Sequence, residues 1–166
     1  MLDDANPTGM RLLCLHGQGG TGKSVMLQKI AALTKSEGKL VSICASTNLA
    51  ALAFKNGTTA HQLFNYPVIE DQDVNDGGSQ IDCNPSDERL EHLQALTMIG
   101  WEECFSSHHD HLDAVMRLLQ INNPHIILVV IGDGRQCPPV VPSGSAAQTI
   151  LASIQSSKHW KDFKVC

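Results

Sequence analysis

Eight residues near the start of the chain constrain everything that follows them: Gly17, Gln18, Gly19, Gly20, Thr21, Gly22, Lys23 and Ser24. They fit the pattern G-x-x-x-x-G-K-[ST], follow the apolar run RLLCLH and lead into the periodic segment VMLQKIAAL. Strand, glycine-rich turn and helix in that order make a P-loop. A backbone that wraps a triphosphate must bring successive N–H groups within reach of anionic oxygens. Gly17, Gly19, Gly20 and Gly22 remove the side chains that would block this approach. The helix opening near Gly22 adds the positive end of its dipole. Lys23 supplies a point charge for the β- and γ-phosphates and Ser24 a hydroxyl for Mg²⁺, so residues 17–24 predict binding of ATP with Mg²⁺.

Around the motif, the apolar pattern predicts a strand over 11–16 and a helix over 23–36. That helix has Val25, Leu27, Ile30, Ala31 and Leu33 available for an inward face, and Gly38 closes it. The β-branched run 40–46 predicts a second strand, with Thr47 or Asn48 capping a short helix over 48–54. A β-α-β-α beginning implies a parallel sheet with helices on its faces. Residues 65–88 hold seven acids, no Lys or Arg, paired glycines and two prolines, and read as a surface insertion too poor in apolar residues for a second domain. Ser86 then caps a helix running to Leu96. After it come a strand ending in paired carboxylates, a helix over 108–121, the strand HIILVVIGD and a final helix over about 145–155. The expectation is one α/β domain over 1–166, an open parallel sheet of the P-loop NTPase class.

Composition limits the function classes. No run of eighteen apolar residues is present and the N-terminus is acidic and polar, which predicts a protein kept inside the cell and away from membranes. The six cysteines form no C-x-x-C pair and mostly sit in apolar runs, as reduced thiols acting as small hydrophobes do. Net charge is -5, which argues against nucleic-acid binding by bulk charge. The acidity is concentrated in the middle: residues 65–123 carry two Lys/Arg against twelve Asp/Glu, while 1–64 carry six against three. A phosphate-binding face from the first and last thirds remains open. His108, His109 and His111 read as exposed polar residues at a helix start rather than a metal site, and Trp101 and Trp160 as packing residues.

Two further groups should lie where ligands bind in such sheets, beyond the carboxyl ends of strands. Glu102-Glu103 stands where a P-loop enzyme needs one acid to hold Mg²⁺ and a neighbour to polarise the attacking water. GDGRQ, residues 132–136, offers an uncharged amide where one could contact the γ-phosphate or that water.

Taken together, GQGGTGKS, ICASTNLAALAFKNGTTAH, MIGWEEC and IGDGRQCPPVVPSGS resemble the first four conserved blocks of the Pif-family (petite integration frequency) DNA helicases, including Helitron-type ones. The resemblance runs from about Arg11 to Trp160. It implies a RecA-like fold with helices on both faces of the sheet. The implied activity is an ATP-driven helicase moving five-prime to three-prime on single-stranded DNA, in DNA repair, recombination and telomere maintenance, and located in the nucleus. By the same resemblance Lys23 and Ser24 take the phosphate and magnesium positions and Gln136 that of the γ-phosphate sensor. Ser46, Thr47, Asn48, Thr59 and His61 fall in blocks that touch the DNA backbone. Hydroxyls and amides suit such contacts.

The chain departs from the family at Glu102, where Asp is usual. Glu102 is assigned to the metal and Glu103 to the water, and the added methylene brings hydrolysis into question. The chain also ends near where the first motor domain of the family does, so a second RecA-like domain is expected to be required for full activity. Two alternatives are a degenerate transposon-derived fragment that binds nucleotide without turnover, and a small P-loop kinase.

Overall fold

A computed structural model describes residues 9–67, 81–135, 139, 141 and 145–166. Among them six strands form one sheet in the order β3-β2-β4-β5-β1-β6, every pairing parallel. The strands are β1 (Arg11–His16), β2 (Val41–Ala45), β3 (Thr58–Thr59), β4 (Met98–Glu102), β5 (Ile127–Gly132) and β6 (Lys164–Val165). The helices are α1 (Lys23–Ser36), α2 (Asn48–Ala51), α3 (Ala60–Phe64), α4 (Asp87–Ala95), α5 (His109–Asn122) and α6 (Ala146–Leu151). All strand ends that follow the chain direction therefore meet at one edge of the sheet.

Because successive strand residues point to opposite faces and both faces are covered, the central strands β4 and β5 carry no polar side chain before Glu102 at the tip of β4. Leu12, Cys14, Ile99, Trp101, Leu128 and Val130 contribute to the larger core, with Leu63 and Phe64 of α3, Leu93 of α4, and Leu112, Val115 and Leu119 of α5. Met98, Val129 and Ile131 pack on the other face with Leu27 of α1 and Phe54, flanked by Leu13, Leu15 and Ile30. Helices thus cover both faces, as the sequence predicts.

Gly100 lets α1 sit directly on the β4 backbone. A Cβ there would lie 2.7 Å from Leu27 Cδ1. On α1 only Leu27 and Ala31 are buried, and Ile30 is half-buried. Val25 and Leu33 are exposed, a correction to the expected inward face: the sheet meets a stripe of the helix narrower than its apolar pattern.

Other differences are local. The short helix after β2 stops at Ala51, not at residue 54. Ser86 occupies the N-cap of α4 without a side-chain capping bond. Of the expected insertion, residues 68–80 lie outside the described residues. Its margins are fastened to the core: Tyr66 is buried, Ile81 and Cys83 pack against the larger cluster, and Arg117 pairs with Asp82 at 2.9 Å. The thiols of Cys14, Cys44 and Cys104 are buried and unbridged, and burial raises that of Cys14 to about 11. No helix among the described residues is long and apolar enough to cross a membrane.

The histidines at the start of α5 are half-buried rather than exposed. His108 is the N-cap, accepting from the Asp110 N–H at Nδ1, and His111 stacks on Tyr66 with centroids 4.3 Å apart. Burial, with His108 adding to it, lowers the His111 pKa from 6.5 to about 4.

Two outcomes follow from this packing. Gly100→Ala should lower stability by about 1–3 kcal/mol through overpacking against Leu27, measured by urea denaturation. Between pH 6.5 and about 4 the unfolded chain binds a proton at residue 111 that the folded chain does not. Stability from this source is therefore complete above pH 6.5 and falls as the pH drops, by on the order of 3 kcal/mol. His111→Phe, which keeps an aromatic ring on Tyr66, should flatten the urea midpoint over that range relative to the parent chain.

Candidate active site

The turn between β1 and α1 is built by Gly22, which caps α1 at φ 85° and ψ 13°. A side chain is strained in that region, so glycine is the residue that lets the chain double back into the helix. Thr21 Oγ1 donates to Gln18 O at 2.8 Å, and Lys23 Nζ donates to Gly17 O at 2.5 Å and Gln18 O at 2.7 Å. Gly17 N–H donates to Gly132 O at 3.3 Å, which ties the loop to the end of β5.

The first helical turn brings Ser24 to the tip of β4. Its Oγ donates to Glu102 Oε1 at 2.9 Å, between residues 78 apart in sequence. Glu102 is buried, and its Oε2 has no hydrogen-bond partner among the described residues. Burial raises its pKa and neighbouring Glu103 adds to this; the Ser24 hydrogen bond and the Lys23 charge oppose it. A hydroxyl oxygen beside a carboxylate with one buried, unmatched oxygen suits a hard divalent cation. Ser24 and Glu102 thus fit the pair expected to hold Mg²⁺.

Glu103 diverges from its neighbour. It leaves the strand in the left-handed region at φ 53°, is exposed, and accepts from Thr47 Oγ1 at 2.9 Å. Thr47 also caps α2 by accepting from Ala50 N–H at 3.2 Å. Ser46 Oγ is within 2.8 Å of Ser107 Oγ and accepts from Trp101 Nε1 at 3.0 Å, so its hydroxyl serves the core beside β4. Asn48 is exposed at the start of α2. Thr59 caps α3 in a reciprocal box with Gln62, and His61 is exposed with its ring edge-on to Tyr66, 5.5 Å between centroids. Since Ala45 pairs with Thr59, these polar residues form one side of the strand-end edge, and the P-loop, Glu102 and the β5 tip form the other.

Gln136 lies outside the described residues. Two neighbours that sequence reasoning passed over are in place instead. Asp133 Oδ2 accepts from Gly19 N–H at 3.1 Å, and His16 Nε2 accepts from Gly134 N–H at 3.2 Å. Asp133 stood within GDGRQ, but a Gly-Asp-Gly string carries the signal of a turn and none of a long-range partner.

The family model for PIF1-like helicases matches residues 2–166. The chain belongs to that family. This PIF1-like chain is 30% identical over 155 residues to the ATP-dependent RecD2 DNA helicase of Deinococcus radiodurans, a match covering 90% of the chain and 18% of the relative. Pif1 of Bacteroides bound to ssDNA superposes with a TM-score of 0.70 at 24% identity, covering 94% of this chain and 38% of that one. Pif1 helicase from Candida albicans gives 0.69 at 24%, covering 95% and 36%, and a Bacteroides Pif1 in complex with ADP-AlF4 gives 0.68 at 23%, covering 95% and 37%. These likenesses establish the fold as the RecA-like P-loop domain. The chain spans well under half the length of each relative.

Replacing the Glu102 carboxylate tests its electrostatic setting. An acid whose pKa is raised on folding disfavours the folded state as the pH rises above its ordinary value of 4.5. Glu102→Gln should therefore be more stable than the parent chain at pH 7 and closer to it at pH 4.5, in urea denaturation without added nucleotide.

Proposed function

We propose that this chain is the ATPase half of a DNA helicase, its first motor domain, in which ATP hydrolysis drives five-prime to three-prime movement on single-stranded DNA. The observation that carries the reading is the Ser24–Glu102 contact at 2.9 Å, with Lys23 one residue away on the same turn. It supports one nucleotide-handling centre assembled from β1 and β4.

In this reading the N–H groups of residues 17–22 and the start of α1 bind the phosphates. Lys23 turns from the loop carbonyls onto the β- and γ-phosphates. Ser24 and Glu102 hold Mg²⁺, which supplies charge neutralisation on the phosphate oxygens. Glu103 polarises the attacking water, and its bond with Thr47 fixes where that carboxylate points. Gln136 senses the γ-phosphate, a role that rests on sequence resemblance. Asn48 and His61 are exposed and Thr59 is half-buried at the β2–β3 side of the strand-end edge, consistent with backbone contacts to a single strand, and Thr47 stands between the two sides. By resemblance, the reading extends to roles in DNA repair, recombination and telomere maintenance and to a nuclear location. A second RecA-like domain supplies the transition-state arginine and the rest of the DNA track.

Purified chain should bind ATP with magnesium and bind single strands weakly and more tightly at low salt. Residues 1–166 alone, without that arginine, should hydrolyse ATP about 10³- to 10⁵-fold more slowly than a complete motor and should not unwind duplex DNA. The deciding measurement is phosphate release with and without single-stranded DNA. Stimulation that disappears in Lys23→Ala supports the reading. Phosphate transfer to a small acceptor would replace it with a kinase, and turnover that appears only in Glu102→Asp would identify a degenerate fragment.

A further inference from the structure

The phosphate loop already carries an anionic partner of its own. Gly19 N–H, near the middle of the glycine-rich turn, donates to Asp133 Oδ2 at 3.1 Å across 114 residues. The other oxygen of that carboxylate accepts from Arg135 N–H at 3.0 Å, which holds the side chain in place. Gly17 N–H to Gly132 O and Gly134 N–H to His16 Nε2 secure the same two segments on either side. Lys23 meanwhile spends its ammonium on Gly17 O and Gln18 O.

A carboxylate oxygen and a phosphate oxygen offer an N–H the same thing, a concentrated negative charge at about 3 Å. They also repel one another at that separation, so the two cannot share one donor. We propose that Asp133 is a positioning residue that occupies a phosphate seat of the loop, holding the Gly19 N–H until a polyphosphate displaces it. The inference rests on reading Gly17 to Ser24 as a polyphosphate site. It adds a residue to that site and sets the direction of its effect. Asp133 keeps the loop shaped for an anion while competing with the ligand. Seating the ligand frees the Asp133 carboxylate, which links occupancy of the loop to the tip of β5.

The net worth of such a hydrogen bond near solvent corresponds to a factor of about three to ten in an equilibrium constant. Binding of magnesium ADP and of magnesium pyrophosphate to the full chain should be measured calorimetrically for the parent, Asp133→Ala, Asp133→Asn and Lys23→Ala. Amide exchange at Gly19 should be followed in parallel. Asp133→Ala is expected to bind both ligands about three- to tenfold more tightly, with a smaller gain in Asp133→Asn, whose amide oxygen still accepts a hydrogen bond. Pyrophosphate has no base, so an equal gain there assigns the competition to the phosphate seat. Without ligand, the Gly19 amide should exchange faster in Asp133→Ala than in the parent, and either ligand should slow it again. If Asp133→Ala does not fold, the same direction of change in Asp133→Asn carries the test. Unchanged or weaker affinity in these variants, while Lys23→Ala abolishes binding by the parent, overturns the role of Asp133 and leaves the nucleotide reading standing. A gain for ADP alone overturns it too. If the parent binds neither ligand through Lys23, the polyphosphate reading itself fails and the inference with it.

Discussion

The contact between Leu27 and Gly100 sets the position of everything at the candidate site. Leu27 follows Ser24 by three residues, close to one helical turn, and Gly100 precedes Glu102 by two, so it lies on the same face of β4. When α1 presses its leucine onto the bare backbone at Gly100, the serine is carried to the carboxylate. The polar contact at 2.9 Å is thus a consequence of apolar packing one layer below it. The same packing excludes water from Glu102, which is why its carboxyl is held above the ordinary range. Core and site are two ends of one interface.

A parallel sheet allows this economy because its strands deliver their ends to a common edge. β1, β4 and β5 bring Lys23, Glu102 and Asp133 there, while β2 and β3 bring Thr47, Asn48, Thr59 and His61. The two groups touch through Thr47 and Glu103. Beneath that bond the buried indole of Trp101 donates to Ser46, whose hydroxyl meets Ser107, so the junction is anchored in the core. The polar residues of the Ser46 block therefore divide their work: one hydroxyl is structural, one holds a carboxylate and one amide faces solvent.

The sequence was most informative where one strong local pattern decided the outcome. β1 and α1 match their expected limits because the glycine-rich turn punctuates them on one side and apolar periodicity fills the other. The two-residue edge strands β3 and β6 left no such trace, since two residues have no periodicity and their pairing comes from neighbours far along the chain. Val25 and Leu33 misled because hydrophobicity reports what can be buried, not which stripe the sheet reaches. The His108 to His111 stretch read as solvent-facing because nothing local announces that Tyr66 will stack on the last imidazole. Asp133 was hidden for the same reason: its partner Gly19 is distant in sequence, and only the folding of β5 beside β1 brings them together.

The last strand carries one more implication. β6 runs parallel to β1, with Cys166 N–H bonded to Cys14 O and His16 N–H to Cys166 O, whereas Gly9 lies at the other end of β1. A fluorophore or fused reporter attached at position 166 would consequently project from the same rim as the glycine-rich turn, and one attached near position 9 from the opposite rim. The two attachment points give a ready-made pair of vantage points, one close enough to feel a ligand arrive and the other remote enough to serve as its reference.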